Sequence, residues 1–242
     1  MSRMPNPFGA PRVQTLPYES AVGTVTQTQF FNTVYAWMAT GLALTAVVAK
    51  LISANYGAMK SIFQPGTLLV LFLVEIGLVI ALSAAIQKIN STLATALFLL
   101  YAAINGLTFA AIFLAYTQAS IAGTFAVTAG TFGAMSVYGF VTKRDLTALG
   151  SMLFMALIGL IIASVVNIFF ASDTLYWIIS YAGVLIFVGL TAYDTQKLRM
   201  IAMQTGHDRE MSNRFAIYGA LVLYLDFINL FILLLRIMGK RR

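Results

Sequence analysis

Two aspartates lie in apolar surroundings where an ionised carboxylate is energetically costly. Asp194 ends one long apolar segment, within TAYDTQKLR, and Asp226 stands in the middle of the next, within YGALVLYLDFINL. Such residues usually face a protein interior, a cavity or a partner. Two carboxylates in contact hold one proton near neutral pH and repel each other once both ionise. When both are ionised they also offer the hard oxygen ligands that suit Ca²⁺. The pair is therefore predicted to be a pH sensor and a cation site that binds Ca²⁺.

Three further polar residues stand in the apolar segments. Glu75, within LVLFLVEIGLVIAL, has no charged residue near it in sequence, and Arg236 is its predicted cationic partner because arginine can reach along a helix. Their contact is predicted to be a structural clamp, with a place in an ion path as the alternative. Asn229, one turn beyond Asp226, is predicted to share a hydrogen-bond network with that carboxylate.

The composition indicates a membrane protein and excludes several kinds of chemistry. Of 242 residues, 60% are hydrophobic and only 10% are charged, whereas soluble domains carry about 25% charged residues. The chain has no cysteine and a single histidine, His207, which lies in a polar loop and is predicted to be an ordinary solvated residue. Disulfides, thiolate sites and histidine-based zinc sites are thereby excluded. No cofactor is predicted. Ca²⁺ is predicted only as an ion that the protein binds or transports.

The apolar segments have the length of membrane-spanning helices. A span needs about 20 mostly apolar residues to cross about 30 Å of hydrocarbon, and the runs are too long and continuous for barrel strands. The predicted fold is therefore an all-α integral membrane bundle of seven helices in one domain, residues 26–242, preceded by a flexible cytoplasmic tail, residues 1–25. The predicted spans are Phe30–Ser53, Thr67–Gln87, Thr92–Ala115, Ala119–Val141, Thr147–Phe170, Thr174–Leu198 and Phe215–Met238.

The positive residues indicate the orientation and the partners. The net charge is +7, and the positively charged residues flank the apolar segments. This pattern is typical of contact with lipid headgroups rather than with nucleic acid. Nine Lys and Arg residues fall on the side of the N-terminus and five on the other side, so the N-terminus is predicted to be cytoplasmic and the C-terminus outside. The nine are Arg3, Arg12, Lys88, Lys143, Arg144, Lys197, Arg199, Arg209 and Arg214, and the five are Lys50, Lys60, Lys240, Arg241 and Arg242.

Span four carries small residues at every fourth position. Ala122, Ala126, Gly130 and Ala134 would form one smooth stripe along a helix. Small residues let helices approach closely in lipid. The stripe is therefore predicted to pack against a neighbouring helix, with a pore-lining role as the alternative.

The sequential spans six and seven are antiparallel neighbours, which makes contact between Asp194 and Asp226 geometrically simple. Their depths nevertheless differ if each helix ends with its apolar run. Asp194 lies about 6 Å deep and Asp226 about 18 Å at 1.5 Å per residue. Contact therefore requires span seven to begin as a helix in the cytosol, or span six to sit lower than its apolar run suggests.

The chain resembles the Bax inhibitor (TMBIM, lifeguard-like) family, and is most similar to its bacterial branch. The resemblance rests on three stretches, FMALIGLIIASVVNIFF, IFVGLTAYDTQKLR and LYLDFINLFILLLRIMG, and continues through nearly all of the chain after the tail. It implies seven helices with the last one central and wrapped by the other six, a bacterial inner-membrane location and a pH-sensitive Ca²⁺ leak.

The resemblance also implies roles for individual residues. The aspartates that match Asp194 and Asp226 form a di-aspartyl pH sensor in that family. A basic residue at the inner end of span two can latch onto the pair, and Lys88 is the charged candidate here. The family's acid–arginine clamp falls on Glu75 and Arg236.

Two other functions remain as alternatives. Intramembrane aspartyl proteases also use two aspartates on adjacent helices, one of them after a tyrosine. Asp226 follows LYL instead of their Gly-x-Gly, and no proline occurs after Pro65, which argues against an enzyme. A non-transporting regulator that binds a membrane protease or other membrane proteins is the stronger alternative, because interaction faces in lipid resemble ordinary packing faces.

Overall fold

The computed structural model describes the backbone of residues 18–242 and the side chains from residue 27 onward. Within those residues seven helices are long and apolar enough to cross a membrane, and α2 is a short extra helix. The predicted all-α bundle with seven spans is confirmed. The helices are α1 Tyr18–Ser53, α2 Tyr56–Ile62, α3 Pro65–Ala85, α4 Ser91–Ala115, α5 Gln118–Val141, α6 Thr147–Phe170, α7 Asp173–Thr205 and α8 Arg209–Met238.

The N-terminal boundary differs from the predicted one. Helix α1 begins at Tyr18, so residues 18–25 of the predicted flexible tail are helical. The rest of that predicted tail, residues 1–17, lies outside the described residues. Helix α2 occupies the long joint between the first two spans, where the side chain of Asn55 accepts a hydrogen bond from the backbone N–H of Ala58.

Polar side chains set the points at which several spans begin. Asn90, Thr117, Ser172 and Asp208 each precede a helix, and each accepts a hydrogen bond from a backbone N–H in its first turn. These contacts satisfy donors that would otherwise lack a partner at a helix N-terminus. Between its caps, each span satisfies its remaining backbone groups internally, which hydrocarbon requires.

Helix α8 is central. It packs against α1, α4, α5 and α7, whereas α3 packs on α4 and α6 packs on α7. The predicted central position of the last helix is therefore confirmed, with four of the other six spans in close contact. Tyr224 of α8 is fully buried, with its ring edge-on to Phe98 and Tyr101 of α4 and its hydroxyl 2.7 Å from Thr45 Oγ1 of α1.

The connector between α3 and α4 is fastened to the start of α8. The carboxylate of Glu210 accepts hydrogen bonds from the backbone N–H and the hydroxyl of Ser91, at 2.6 and 2.8 Å. Arg214 donates to the carbonyl oxygens of Gln87 and Ile89. These contacts fix the position of α8 relative to α3 and α4 at this end of the bundle.

The stripe of small residues on α5 does not pack as predicted. Ala122, Ala126, Gly130 and Ala134 are all exposed, and a methyl group added at Gly130 would meet no atom within 4 Å. The opposite face, which includes Thr128, is the buried one. The hydroxyl of Thr128 donates back to the carbonyl oxygen of Thr124 at 2.8 Å, and that of Ser136 accepts from Thr195 of α7, so both have partners although they are buried. The spacing of the small residues correctly placed them on one face of α5, but it did not show which face packs against the other helices.

Candidate functional site

The hairpin between α7 and α8 reaches beyond the apolar segments on both sides. Helix α7 continues to Thr205, seven residues past the predicted end of its span, and α8 begins at Arg209, six residues before Phe215. The side chain of Asp208 caps α8 by accepting from the backbone N–H of Met211 at 3.0 Å. Span seven therefore begins as a helix before its apolar run, which removes the difference in depth expected between the aspartates.

One antiparallel register runs along this hairpin. Leu233 packs directly against Gly183, and Leu198 packs against Gly219. Asp194 and Asp226 lie between these two contacts, and their carboxyl groups are within hydrogen-bonding reach of each other. The structure thus brings together the two residues that the sequence singled out.

The pair is sheltered from its surroundings. Asp226 is only 5% exposed. Its Oδ2 atom accepts no hydrogen bond from any N–H or hydroxyl group of the described residues. Buried polar atoms are nearly always partnered. A proton held between the two carboxyl groups would supply the missing donor.

The surroundings of the pair include one positive charge, on Lys197, which the sequence already places close to Asp194. Lys197, one turn after Asp194 on α7, is its charged neighbour besides Asp226. The spacing of three residues on a helix places Lys197 on the same face as Asp194. Asn229 lines the same cavity, but its Nδ2 donates to the carbonyl oxygen of Leu225 at 2.8 Å, within its own helix. The predicted network between Asn229 and Asp226 is not formed.

The two aspartates lie at the wall of a cavity of about 880 Å³. Residues of α6, α7 and α8 line it, and Phe72 contributes from α3. The lining is mostly apolar, and its polar part consists of the two carboxylates, Lys197, Asn229, Arg236 and hydroxyl groups of α6 and α7 and of Tyr218. A concave site with few convergent polar groups is the usual form of a ligand or ion site.

The acidic content of this site is limited to two carboxylates. In residues 27–242, no group of three or more His, Asp or Glu side chains is placed to hold a metal ion. Ca²⁺ takes six to eight oxygen ligands, so tight storage sites usually supply several from protein. Two carboxylates in a large cavity fit brief occupancy by a hydrated cation better than permanent binding.

The predicted clamp between Glu75 and Arg236 is not formed. Glu75 accepts a hydrogen bond from Thr108 of α4 at 3.1 Å, and the guanidinium of Arg236 lies 5.6 Å from the ring centroid of Tyr176. Glu75 is ten residues into α3, about 15 Å from its start, whereas Arg236 is two residues from the end of α8. This separation in depth keeps the two charges on different partners.

The predicted latch residue is also away from the pair. Lys88 follows the end of α3, and its side chain is exposed. The charged neighbours of the two aspartates are each other and Lys197. The basic residue beside the pair in this structure is therefore Lys197 of α7, not Lys88.

The sequence model of the family described as "Inhibitor of apoptosis-promoting Bax1" matches residues 27–242, which include all seven spans and the whole aspartate site. The chain belongs to the Bax inhibitor family. It is thus an integral membrane protein of that family, as the resemblance of its last three spans predicted.

Several bacterial proteins are similar to this Bax inhibitor family member over most of their length. The inner membrane protein YbhL of Escherichia coli K12 is 54% identical over 212 residues, which cover 86% of this chain and 90% of YbhL. An uncharacterized protein of Borreliella burgdorferi is 49% identical over 215 residues, with 88% and 93% of the two chains covered. One of Deinococcus radiodurans is 48% identical over 212 residues, with 88% and 90% covered.

Proposed function

We propose that this protein is a pH-sensitive calcium leak pathway in which one proton shared by Asp194 and Asp226 controls the passage of cations. The observation that carries the proposal is the contact of two carboxyl groups at the wall of a large cavity, deep within a membrane-spanning hairpin. With the shared proton in place the pair is held together. Without it, two negative charges repel across α7 and α8 and attract a divalent cation.

Flux measurements with purified protein test the proposal. Liposomes that contain the protein and a calcium dye are expected to show Ca²⁺ entry that changes with pH between about pH 5 and pH 8, because loss of the shared proton leaves two like charges in contact. Absence of flux throughout that range would overturn the leak and favour a non-transporting regulator. Cleavage of a helical substrate that is lost in Asp194→Asn and Asp226→Asn would instead indicate an enzyme, a role this proposal does not include.

Lys197→Gln is expected to move the midpoint of the pH-dependent flux to higher pH. The lysine favours the ionised form of Asp194, so its removal lets the pair keep the proton longer as pH rises. Since Lys197 is exposed and screened, the shift should be at most about one pH unit. Lys88→Gln is the matched control, because Lys88 is also exposed but is not among the charged neighbours of the pair. Equal shifts in both variants would contradict the assignment of Lys197.

The protein is further proposed to lie in a bacterial inner membrane with its N-terminus cytoplasmic. The support is the excess of Lys and Arg on the N-terminal side, together with the inner-membrane relative from Escherichia coli. Because the chain has no cysteine, a single cysteine added after Arg242 reports the orientation directly. It is expected to react with a membrane-impermeant maleimide in intact cells. Reaction only after the cells are opened would reverse the orientation.

A further inference from the structure

The cavity at the aspartate pair extends as an apolar groove along nearly the whole of α6. Its lining residues on α6 run from Thr147 to Ile168, a distance of about 31 Å at 1.5 Å per residue. This matches the hydrocarbon thickness of a bilayer, about 30 Å. A groove of this length is long enough to hold an extended acyl chain.

The groove is open to the side. Helix α3 packs on α4 and helix α6 packs on α7, and the groove lies between these two peripheral helices, along α8. Several of its lining side chains are largely exposed, including Phe72 at 56%, Phe154 at 59% and Ile161 at 55%. These exposed walls lie at membrane depth, where the surrounding medium is lipid. The groove is therefore accessible to an acyl chain from the bilayer.

The end of the groove nearest the C-terminus is basic. Arg236 lines the groove and lies over the ring of Tyr176, and Arg241 donates from Nη2 to the hydroxyl of Tyr176 at 3.4 Å. The partners of both guanidinium groups in the described residues are aromatic side chains rather than carboxylates, and Asp173, one turn before Tyr176, forms no ion pair with either. Two positive charges thus remain available to an anion.

The backbone holds Arg241 in place. The N–H of Thr117 donates to the carbonyl oxygen of Lys240 at 3.2 Å, and the N–H of Arg242 donates to that of Ala115 at 3.0 Å. The last residues of the chain are thereby fixed against the connector between α4 and α5. The guanidinium group of Arg241 belongs to a fixed strap instead of a free tail, which lowers the entropy lost when it binds a ligand.

We propose that this groove binds an anionic phospholipid from the leaflet on the C-terminal side of the membrane. One acyl chain lies in the groove along α6, and the phosphate contacts Arg236 and Arg241. Arginine is suited to phosphate because its planar guanidinium group donates two parallel hydrogen bonds. The acyl chain covers the open side of the cavity, at whose wall Asp226 lies. The binding is independent of whether the protein conducts calcium.

Lipid retention measured by native mass spectrometry tests the headgroup contact. Protein in a neutral detergent, titrated with phosphatidylglycerol or phosphatidylcholine, is expected to bind the anionic lipid about tenfold more tightly, as one or two charge-assisted hydrogen bonds allow. The double variant Arg236→Gln, Arg241→Gln should lose this preference. Lys50→Gln, Lys60→Gln is the control, since it removes two positive charges on the same side, away from the groove. Excess glycerol 3-phosphate should not compete if the acyl chain is part of the ligand.

Filling the groove tests the acyl-chain contact. Ser164 lines the groove, whereas Gly159 on the same helix faces outward with no atom within 4 Å of an added methyl group. Ser164→Trp is expected to reduce binding of the anionic lipid at least about fivefold, and Gly159→Trp to leave it unchanged, because only the first occupies the space of the chain. Thermal midpoints of all variants verify folding. Equal affinity for the two lipids, equal losses in both charge variants, or unchanged binding in Ser164→Trp would each overturn the proposal.

Discussion

Asp226→Asn is expected to abolish the pH dependence of calcium flux, whereas Asp194→Asn should weaken and shift it. Asp226 is buried on the central helix and depends on Asp194 for a proton-sharing partner, while Asp194 is nearer to Lys197 and less enclosed. A single titrating carboxyl can change a conformational equilibrium by at most about tenfold per pH unit. In Asp226→Asn the remaining carboxyl is the less enclosed one and does not lie on the central helix, so flux should vary by less than about twofold across the titration range.

Asp145→Asn is the matched control for these two variants. Asp145 lies in the connector between α5 and α6, where it accepts a hydrogen bond from the backbone N–H of Thr147 at 2.8 Å. The hydroxyl and backbone N–H of Thr147 hold the pKa of Asp145 below its ordinary value. The ionised carboxylate of Asp145 therefore keeps these hydrogen bonds at any pH above its ordinary pKa. They are lost only when the pH falls below that value and the carboxylate is protonated. The substitution should leave the profile from about pH 5 to pH 8 unchanged. Equal effects of Asp194→Asn and Asp226→Asn would contradict the ranking of the two aspartates.

The spans could be predicted closely because hydrocarbon imposes one simple requirement on sequence. Helix α6 begins and ends at the predicted residues, Thr147 and Phe170, and the others differ by a few residues at most of their ends. The exceptions are the start of α1, which lies twelve residues before the predicted Phe30, the end of α7, and the start of α8, which a polar cap at Asp208 sets. An apolar run indicates where the hydrocarbon begins, whereas a capping residue indicates where the helix begins. The relative depth of Asp194 and Asp226 depends on where the helices begin and end.

The partners of the charged residues could not be predicted from apolarity. Glu75 and Arg236 are complementary in charge, but helix length puts them at different depths, and each finds a neutral partner nearby. The threonine that reaches Glu75 is 33 positions away, and no pattern in the sequence connects them. The partnership of Asp194 and Asp226 was predictable because the two helices are consecutive, so their order alone makes them neighbours.

The same limitation applies to the small residues of α5. Alanines and glycines repeat along one face, yet the residue that permits close packing is Gly139, which is outside that repeat. A methyl group at 139 would overlap the carbonyl oxygen of Ala192 on α7, two residues before Asp194. Spacing indicates which residues share a face, but contact with a neighbour is decided by the tertiary arrangement.

Gly139→Ala is expected to destabilise the protein because α5 and α7 must move apart to admit a single methyl group. The opposing atoms are backbone, so no side-chain rotation can relieve the overlap. Overpacking of this kind typically costs about 1–3 kcal/mol. For a chain of this size that corresponds to a loss of about 5 °C in the thermal midpoint. Measurement by size-exclusion chromatography after heating in detergent is sufficient to detect it.

Gly130→Ala provides the matched comparison, since it makes the same substitution on the same helix. No atom lies within 4 Å of a methyl group at 130, so the thermal midpoint should stay the same or rise slightly, because alanine favours the helix over glycine. Equal losses at both positions would mean that backbone flexibility, rather than the approach of α7, determines the effect. A loss confined to Gly139 would place the closest helix contact of α5 beside the segment that carries Asp194. Displacement of that segment should then also alter the calcium flux of molecules that remain folded.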